Sequence, residues 1–136
     1  MANMKIQEIE GIGPTYGEKL AGIGINDTDT LLAKGKTPAG RKEIAETTGL
    51  SDKHVLKWVN MADLFRITGV GPEFAELLEV AGVDTVVELG QRNADNLATK
   101  MAEVNEEKKL TRRVPNSNDV TNWVNQAKSM ERGIEY

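Results

Sequence analysis

The 136 residues carry a formal net charge of −4, a single histidine and no cysteine. Disulfide frameworks, thiolate metal sites and cysteine nucleophiles are thereby excluded, and a generic basic nucleic-acid coat is disfavoured. The length suits one ordinary domain or two small ones sharing a core; no apolar run approaches the roughly 18 residues that span a bilayer, and the N-terminal stretch lacks the apolar core of a secretory signal, so the expected location is the cytoplasm.

In chain order, strong punctuation separates short helical patterns. Pro14 follows Gly13 where a helix should begin, at a position whose N–H would be unpaired anyway. Leu20 supplies the apolar face of that helix, and Gly24 suits the left-handed residue that ends it. Thr37 caps a helix entered through Pro38, running to about Thr48 and stopping at Gly49. Ser51 caps the next, where Val55, Leu56, Val59, Ala62 and Leu64 recur at helical spacing. The series then starts again: Pro72 after Gly71, Leu78, Gly82, a helix capped by Asn93 through Leu97 and Met101, and a last one capped by Asn116 or Ser117 that carries Val120, Trp123, Val124 and Ala127. Alternating strand patterns are absent, so the expectation is eight or nine helices, no sheet, and an all-α fold.

The recurrence is a duplication. Ile9-Glu-Gly-Ile-Gly-Pro-Thr-Tyr returns as Ile67-Thr-Gly-Val-Gly-Pro-Glu-Phe, Gly24-Ile25 as Gly82-Val83, Asp27-Thr28 as Asp84-Thr85, and Trp58-Val-Asn-Met-Ala62 as Trp123-Val-Asn-Gln-Ala127. The first blocks lie 58 positions apart and the tryptophans 65, which puts a net insertion of seven residues in the charged stretch 105–115. Two repeats follow, residues 1–64 and 65–136, with the helix over 51–64 serving both. Ile12, Leu20, Trp58, Val70, Leu78 and Trp123 are the expected core.

Each repeat opens on an apolar residue, a spacer, then Gly-apolar-Gly-Pro. The glycines let the backbone turn tightly and approach another molecule, while Ile12 or Val70 plugs the gap between helices. The helix that follows presents free N–H groups at its positive dipole end, where a phosphate oxygen fits. These residues resemble the helix-hairpin-helix motif of DNA repair and recombination proteins. The full layout, from about Ile6 to Met130, is more similar still to an uncharacterised family of short bacterial proteins with paired hairpins. The resemblance implies a nucleic-acid backbone, DNA or RNA, held without sequence preference.

On that reading the contacts fall on Gly11, Gly13, Thr15 and Tyr16 of the first hairpin, with Lys19 on its helix and Lys34, Lys36, Arg41 and Lys42 beyond. The second hairpin offers Gly69, Gly71 and Arg66. DNA-binding hairpins often place Lys or Arg directly after the proline, whereas this chain has Thr15 and Glu73. Glu76 and Glu79 extend the acidity of the second helix, with no Lys or Arg between Gly71 and Asp84. Residues 1–66 balance nine basic against nine acidic side chains, and the whole acidic excess lies in the second half.

Other residues read as structural. His54 stands between Lys53 and Lys57 as a surface histidine, with no second ligand for zinc. Lys108, Lys109, Arg112 and Arg113 follow Glu106-Glu107 and read as a solvated loop. No nucleotide loop, nucleophile elbow or metalloprotease helix occurs, so no enzyme, cofactor, metal, small-molecule substrate or membrane partner is expected. Two functions remain in view: a nucleic-acid-binding module, and a protein-interaction adaptor that keeps the hairpin scaffold without the phosphate site.

Overall fold

Residues 3–136 are described by a computed structural model. Among them the fold is all-α. A 3₁₀ turn, Ile6–Glu8, leads into α1 (Pro14–Ala21), α2 (Thr28–Lys34), α3 (Pro38–Thr48), α4 (Asp52–Leu64), α5 (Pro72–Val80), α6 (Val86–Gly90), α7 (Ala94–Lys108) and α8 (Ser117–Lys128). No strand occurs among the described residues; one isolated antiparallel bridge joins Lys5 to Asp27. Among the described residues no helix is long and apolar enough to cross a membrane.

Side-chain capping explains most of the helix starts. Asp27, Thr37, Ser51, Thr85, Asn93 and Asn116 each accept the backbone N–H three residues on, satisfying a donor that the helix cannot. At α8, Asp119 returns the bond to the Asn116 N–H and closes a capping box. The helices α1 and α5 end alike: Ile25 N donates to Leu20 O and Gly24 N to Ala21 O, as Val83 N does to Leu78 O and Gly82 N to Glu79 O.

Matching positions hold through most of the chain, with one shift of register. The caps of α2 and α6, Asp27 and Thr85, have φ/ψ of −138°/168° and −136°/167°. Asp27 therefore corresponds to Thr85, one residue away from the Asp-Thr match that the sequence suggested. The inserted residues are also partly helical rather than all loop: α7 has 15 residues against 11 in α3. Residues 109–116 then connect α7 to α8, where residues 49–51 suffice between α3 and α4.

A single apolar cluster draws on both halves, and Ile12, Leu20, Trp58, Val70, Leu78 and Trp123 all lie in it. The helix α4 packs on α2 and α3 behind it and on α5 ahead of it. Residues 131–136 run back along α3 and α4, with contacts to Arg41, Asn60 and Arg66.

Candidate nucleic-acid interface

Gly11 and Gly69 make the turns at φ 93° and 98°, a conformation that side chains other than glycine rarely take. Ile12 and Val70 between the glycines are buried, as plugs should be. The following glycines, Gly13 and Gly71, occupy the cap positions of α1 and α5 and so offer no capping side chain. The first helical bonds run from Gly17 N to Gly13 O and from Ala75 N to Gly71 O, both 2.9 Å. The N–H groups of Thr15 and Tyr16, and of Glu73 and Phe74, precede those bonds at the open end of each helix.

Each loop rests on the tryptophan of its own half. A Cβ at Gly11 would stand 3.5 Å from Trp58 Nε1, and one at Gly69 3.0 Å from Trp123 Nε1. Tyr16 lies 5.3 Å from Trp58 and Phe74 5.2 Å from Trp123, both tilted by 50°. Gly69→Ala should therefore destabilise the fold by about 1–3 kcal/mol, through backbone strain and contact with the indole. Gly11→Ala, with more room at the ring, should cost less. Urea denaturation of the two variants checks the order, and an equal loss would mean that strain alone sets it.

The hairpins differ at their mouths. His54 is exposed but stacks on Trp58, 5.4 Å away and 12° from parallel, so it belongs to the aromatic group behind the first loop rather than standing alone. In the second half Asp119 takes the matching place. Its bonds to Arg113 (2.7 Å) and to the Asn116 N–H hold its carboxyl below the usual carboxylate range. The Arg113 guanidinium also covers the Phe74 ring at 5.3 Å, so this exposed member of the basic loop makes a structural contact as well. The second loop is clamped as well: Gln126 Oε1 accepts from Thr68 N at 2.9 Å, and Gln126 Nε2 donates to Thr68 O at 3.0 Å. The buried Met61 stands where a clamp for the first loop would be.

A cleft of about 600 Å³ opens at the second hairpin, between Gly69–Phe74 and the N-terminal residues Gln7, Glu8 and Glu10. Glu8, Glu10 and Glu73 make it acidic. Glu76 on α5 has its carboxyl pushed up, chiefly by burial and then by the negative charge of Glu10, with Lys57 opposing. Sequence reasoning had not placed Glu8 and Glu10 here; the available signal was that Arg66 and Thr68 replace them in the second repeat.

The basic residues expected around the first hairpin are not gathered there. Lys34 Nζ donates to Ile23 O at 3.1 Å, just beyond the C-terminal end of α1. Eight residues of helix, about 12 Å, separate it from the loop. Arg41 is spent on carbonyls: Gly35 O (2.9 Å), Lys36 O (3.1 Å) and Glu135 O (2.7 Å). Lys36 lines a different cavity, beside Arg66 and Glu131, and Lys42 pairs at 4.0 Å with Glu46 on the exposed face of α3. Arg66 binds Asp63 Oδ1 and Glu131 O, each at 2.7 Å. Arg41 and Arg66 are thus tied into the fold, while Gly11, Gly13, Thr15, Tyr16 and Lys19 remain at the first hairpin.

The poly(3-hydroxyalkanoate) polymerase subunit PhaC of Haloferax mediterranei is 41% identical over 56 residues, which are 41% of this chain and 10% of that protein. The chain thus matches about a tenth of the length of this curated relative. No solved structure matches the chain. Across residues 10–130 it matches the family model described as a domain of unknown function, DUF4332, and the chain belongs to that family.

Proposed function

We propose that the chain is a non-enzymatic binding module of two helix-hairpin-helix repeats that holds a nucleic-acid backbone, without sequence preference, at the loop of the first. The observation that carries this reading is the selective absence of caps. Among the described residues, α1 and α5 are the helices without a capping side chain, and both are entered through Gly-apolar-Gly-Pro. A solvent-open helix start is where an anionic oxygen is best received. The first hairpin is the better of the two, because its helix has no acidic residue in the first turn and carries Lys19 in its last. Glu73 occupies the first turn of α5 and faces the acidic cleft.

With one basic side chain on α1, in its last turn, binding is weak and depends on few phosphates. The slope of log affinity against log salt should be shallow, on the order of −1 to −2. Lys19→Glu should abolish binding to duplex or single-stranded DNA and RNA at low salt. Glu73→Lys should strengthen it, while Lys42→Glu, on the exposed face of α3 beside Glu46, should leave it unchanged. Titrations at two salt concentrations read all three.

The acidic cleft favours a second reading, a protein-interaction adaptor. A segment of similar sequence in a polymerase subunit for poly(3-hydroxyalkanoate) is in keeping with such a role. If the parent, Lys19→Glu and Glu73→Lys bind nucleic acid equally poorly at low salt, the phosphate reading is lost and the adaptor reading stands.

A further inference from the structure

Trp58 is 2% exposed and Trp123 3%. An indole carries one donor and no acceptor, and a buried ring normally finds that N–H a partner. Neither ring does so here. Among the described residues no oxygen accepts from either Nε1, yet no side-chain nitrogen or oxygen sealed from solvent is left unpaired. The two Nε1 atoms therefore lie in the sliver of each ring that solvent reaches.

For Trp58 that sliver is at the hairpin loop. Around a Cβ built on the exposed Gly11, Trp58 Nε1 at 3.5 Å is the one atom within 4 Å outside the adjoining residues. A Cβ on Gly13 would meet nothing within 4 Å, so the space before α1 is open. Tyr16, in the first turn of α1, packs on the same ring at 5.3 Å, and His54 lies nearly parallel to it at 5.4 Å. The free main-chain N–H groups of Thr15 and Tyr16 and the free indole N–H thus belong to one hairpin mouth. All three are donors, at the positive end of a helix.

We infer that Trp58 Nε1 is a ligand-binding donor, which together with the N–H groups of Thr15 and Tyr16 receives a phosphate group. The phosphate oxygens supply the acceptor that the fold withholds from the indole. This rests on the reading of the first hairpin as the phosphate site, and adds to it a side-chain donor fixed by the core. Packing locks the ring, so the donor is positioned without the ordering cost of a lysine. The second hairpin has the same unpaired donor in other surroundings. A Cβ on Gly69 would stand 3.0 Å from Trp123 Nε1, and Glu8, Glu10 and Glu73 line the cleft in front of the loop. Their charge repels an anion, which makes Trp123 the control within the same molecule.

The test follows the two indole N–H signals in proton–nitrogen correlation spectra of the full chain, assigned from Trp58→Phe and Trp123→Phe. Titration with oligothymidylate should move the Trp58 indole proton downfield, saturably and together with the Thr15 and Tyr16 amides. The Trp123 indole should stay in place. Inorganic phosphate should act in the same way but more weakly, and chloride at equal ionic strength should not act. Trp58→Phe keeps an aromatic ring without the N–H and should bind the oligonucleotide about tenfold more weakly, the size of a lost hydrogen bond to a charged acceptor. Gly13→Ser, whose hydroxyl would cap α1 as that of Ser51 caps α4, should weaken the indole response several-fold by taking the place of a phosphate oxygen. Amides that move without the Trp58 indole, or two indoles that respond alike, overturn the inference and leave the backbone-binding reading standing. A Trp58 indole that answers to inorganic phosphate alone keeps the site and overturns the nucleic-acid reading. No response to either ligand overturns both. If Trp58→Phe does not fold, the indole shift in the parent decides.

Discussion

Trp58→Ala and Trp123→Ala should each lower the stability of the folded chain by about 3–5 kcal/mol. Domains of this size are stable by only about 5–15 kcal/mol, so either change removes a large share of the margin. The rings are 2% and 3% exposed, and each does two things at once. It fills the centre of its own half, and it forms the floor on which a positive-φ glycine turns. Trp58 further supports Tyr16 and His54, whereas Trp123 supports Phe74 alone. Aromatic pairs contribute about 0.5–1.5 kcal/mol beyond their buried area, so Trp58→Ala should be the more damaging of the two if the cavities collapse equally. Urea denaturation followed by circular dichroism measures both losses without relying on the fluorophore that each variant deletes. Variants that unfold with the parent would show that the rings are not core, and would free them for contact with a base.

The helical framework was legible because its signals are local. A cap acts three residues away, a left-handed glycine acts within one turn, and proline acts on its own residue, so Thr37-Pro38, Ser51, Asn93 and Asn116 announce helix starts in one dimension. The recurrence of Gly-apolar-Gly-Pro and of the tryptophan blocks was visible for the same reason. The exception was the Asp-Thr match, where two residues of similar capping ability stand side by side and identity misled by one position.

The surroundings of the first hairpin were much less legible. Lys34, Arg41 and Arg66 look like free cations in the sequence, yet each donates to main-chain carbonyls. Every residue carries a carbonyl, so no pattern of side chains reveals that such an acceptor is in reach. The acidic cleft was hidden differently: Glu8 and Glu10 meet Glu73 through the packing of the two halves, and their separation in sequence gives no sign of it. Gly11, Gly13, Thr15, Tyr16 and Lys19 were found because they lie within one turn of a local motif.

Asp63→Ala should destabilise the chain by about 3–5 kcal/mol, as breaking a buried ion pair does when one charge stays behind. Asp63 is 1% exposed in the last turn of α4, where its carboxylate accepts from Arg66 Nη1 at 2.7 Å and from the Val86 N–H at 2.8 Å. The first half shows why the second bond is needed. There Thr28 N, at the position matching Val86, donates to Met4 O at 2.8 Å, from a stretch that is not yet helical. At the corresponding place in the second half the main chain is already inside α4, with its carbonyls along the helix axis, and the Asp63 side chain reaches out instead. Alanine would leave Arg66 Nη1 and the N–H at the start of α6 without an acceptor, and the Arg66 charge without its counter-ion, with only Nη2 still held by Glu131 O. Asp63→Asn keeps a neutral acceptor for the N–H and should cost less, about 1–3 kcal/mol. Combining Asp63→Ala with Arg66→Leu should recover part of the loss, because the abandoned charge is gone. A double variant no more stable than Asp63→Ala would show that the stabilisation comes from the α6 bond alone, and that Arg66 adds nothing through its pair.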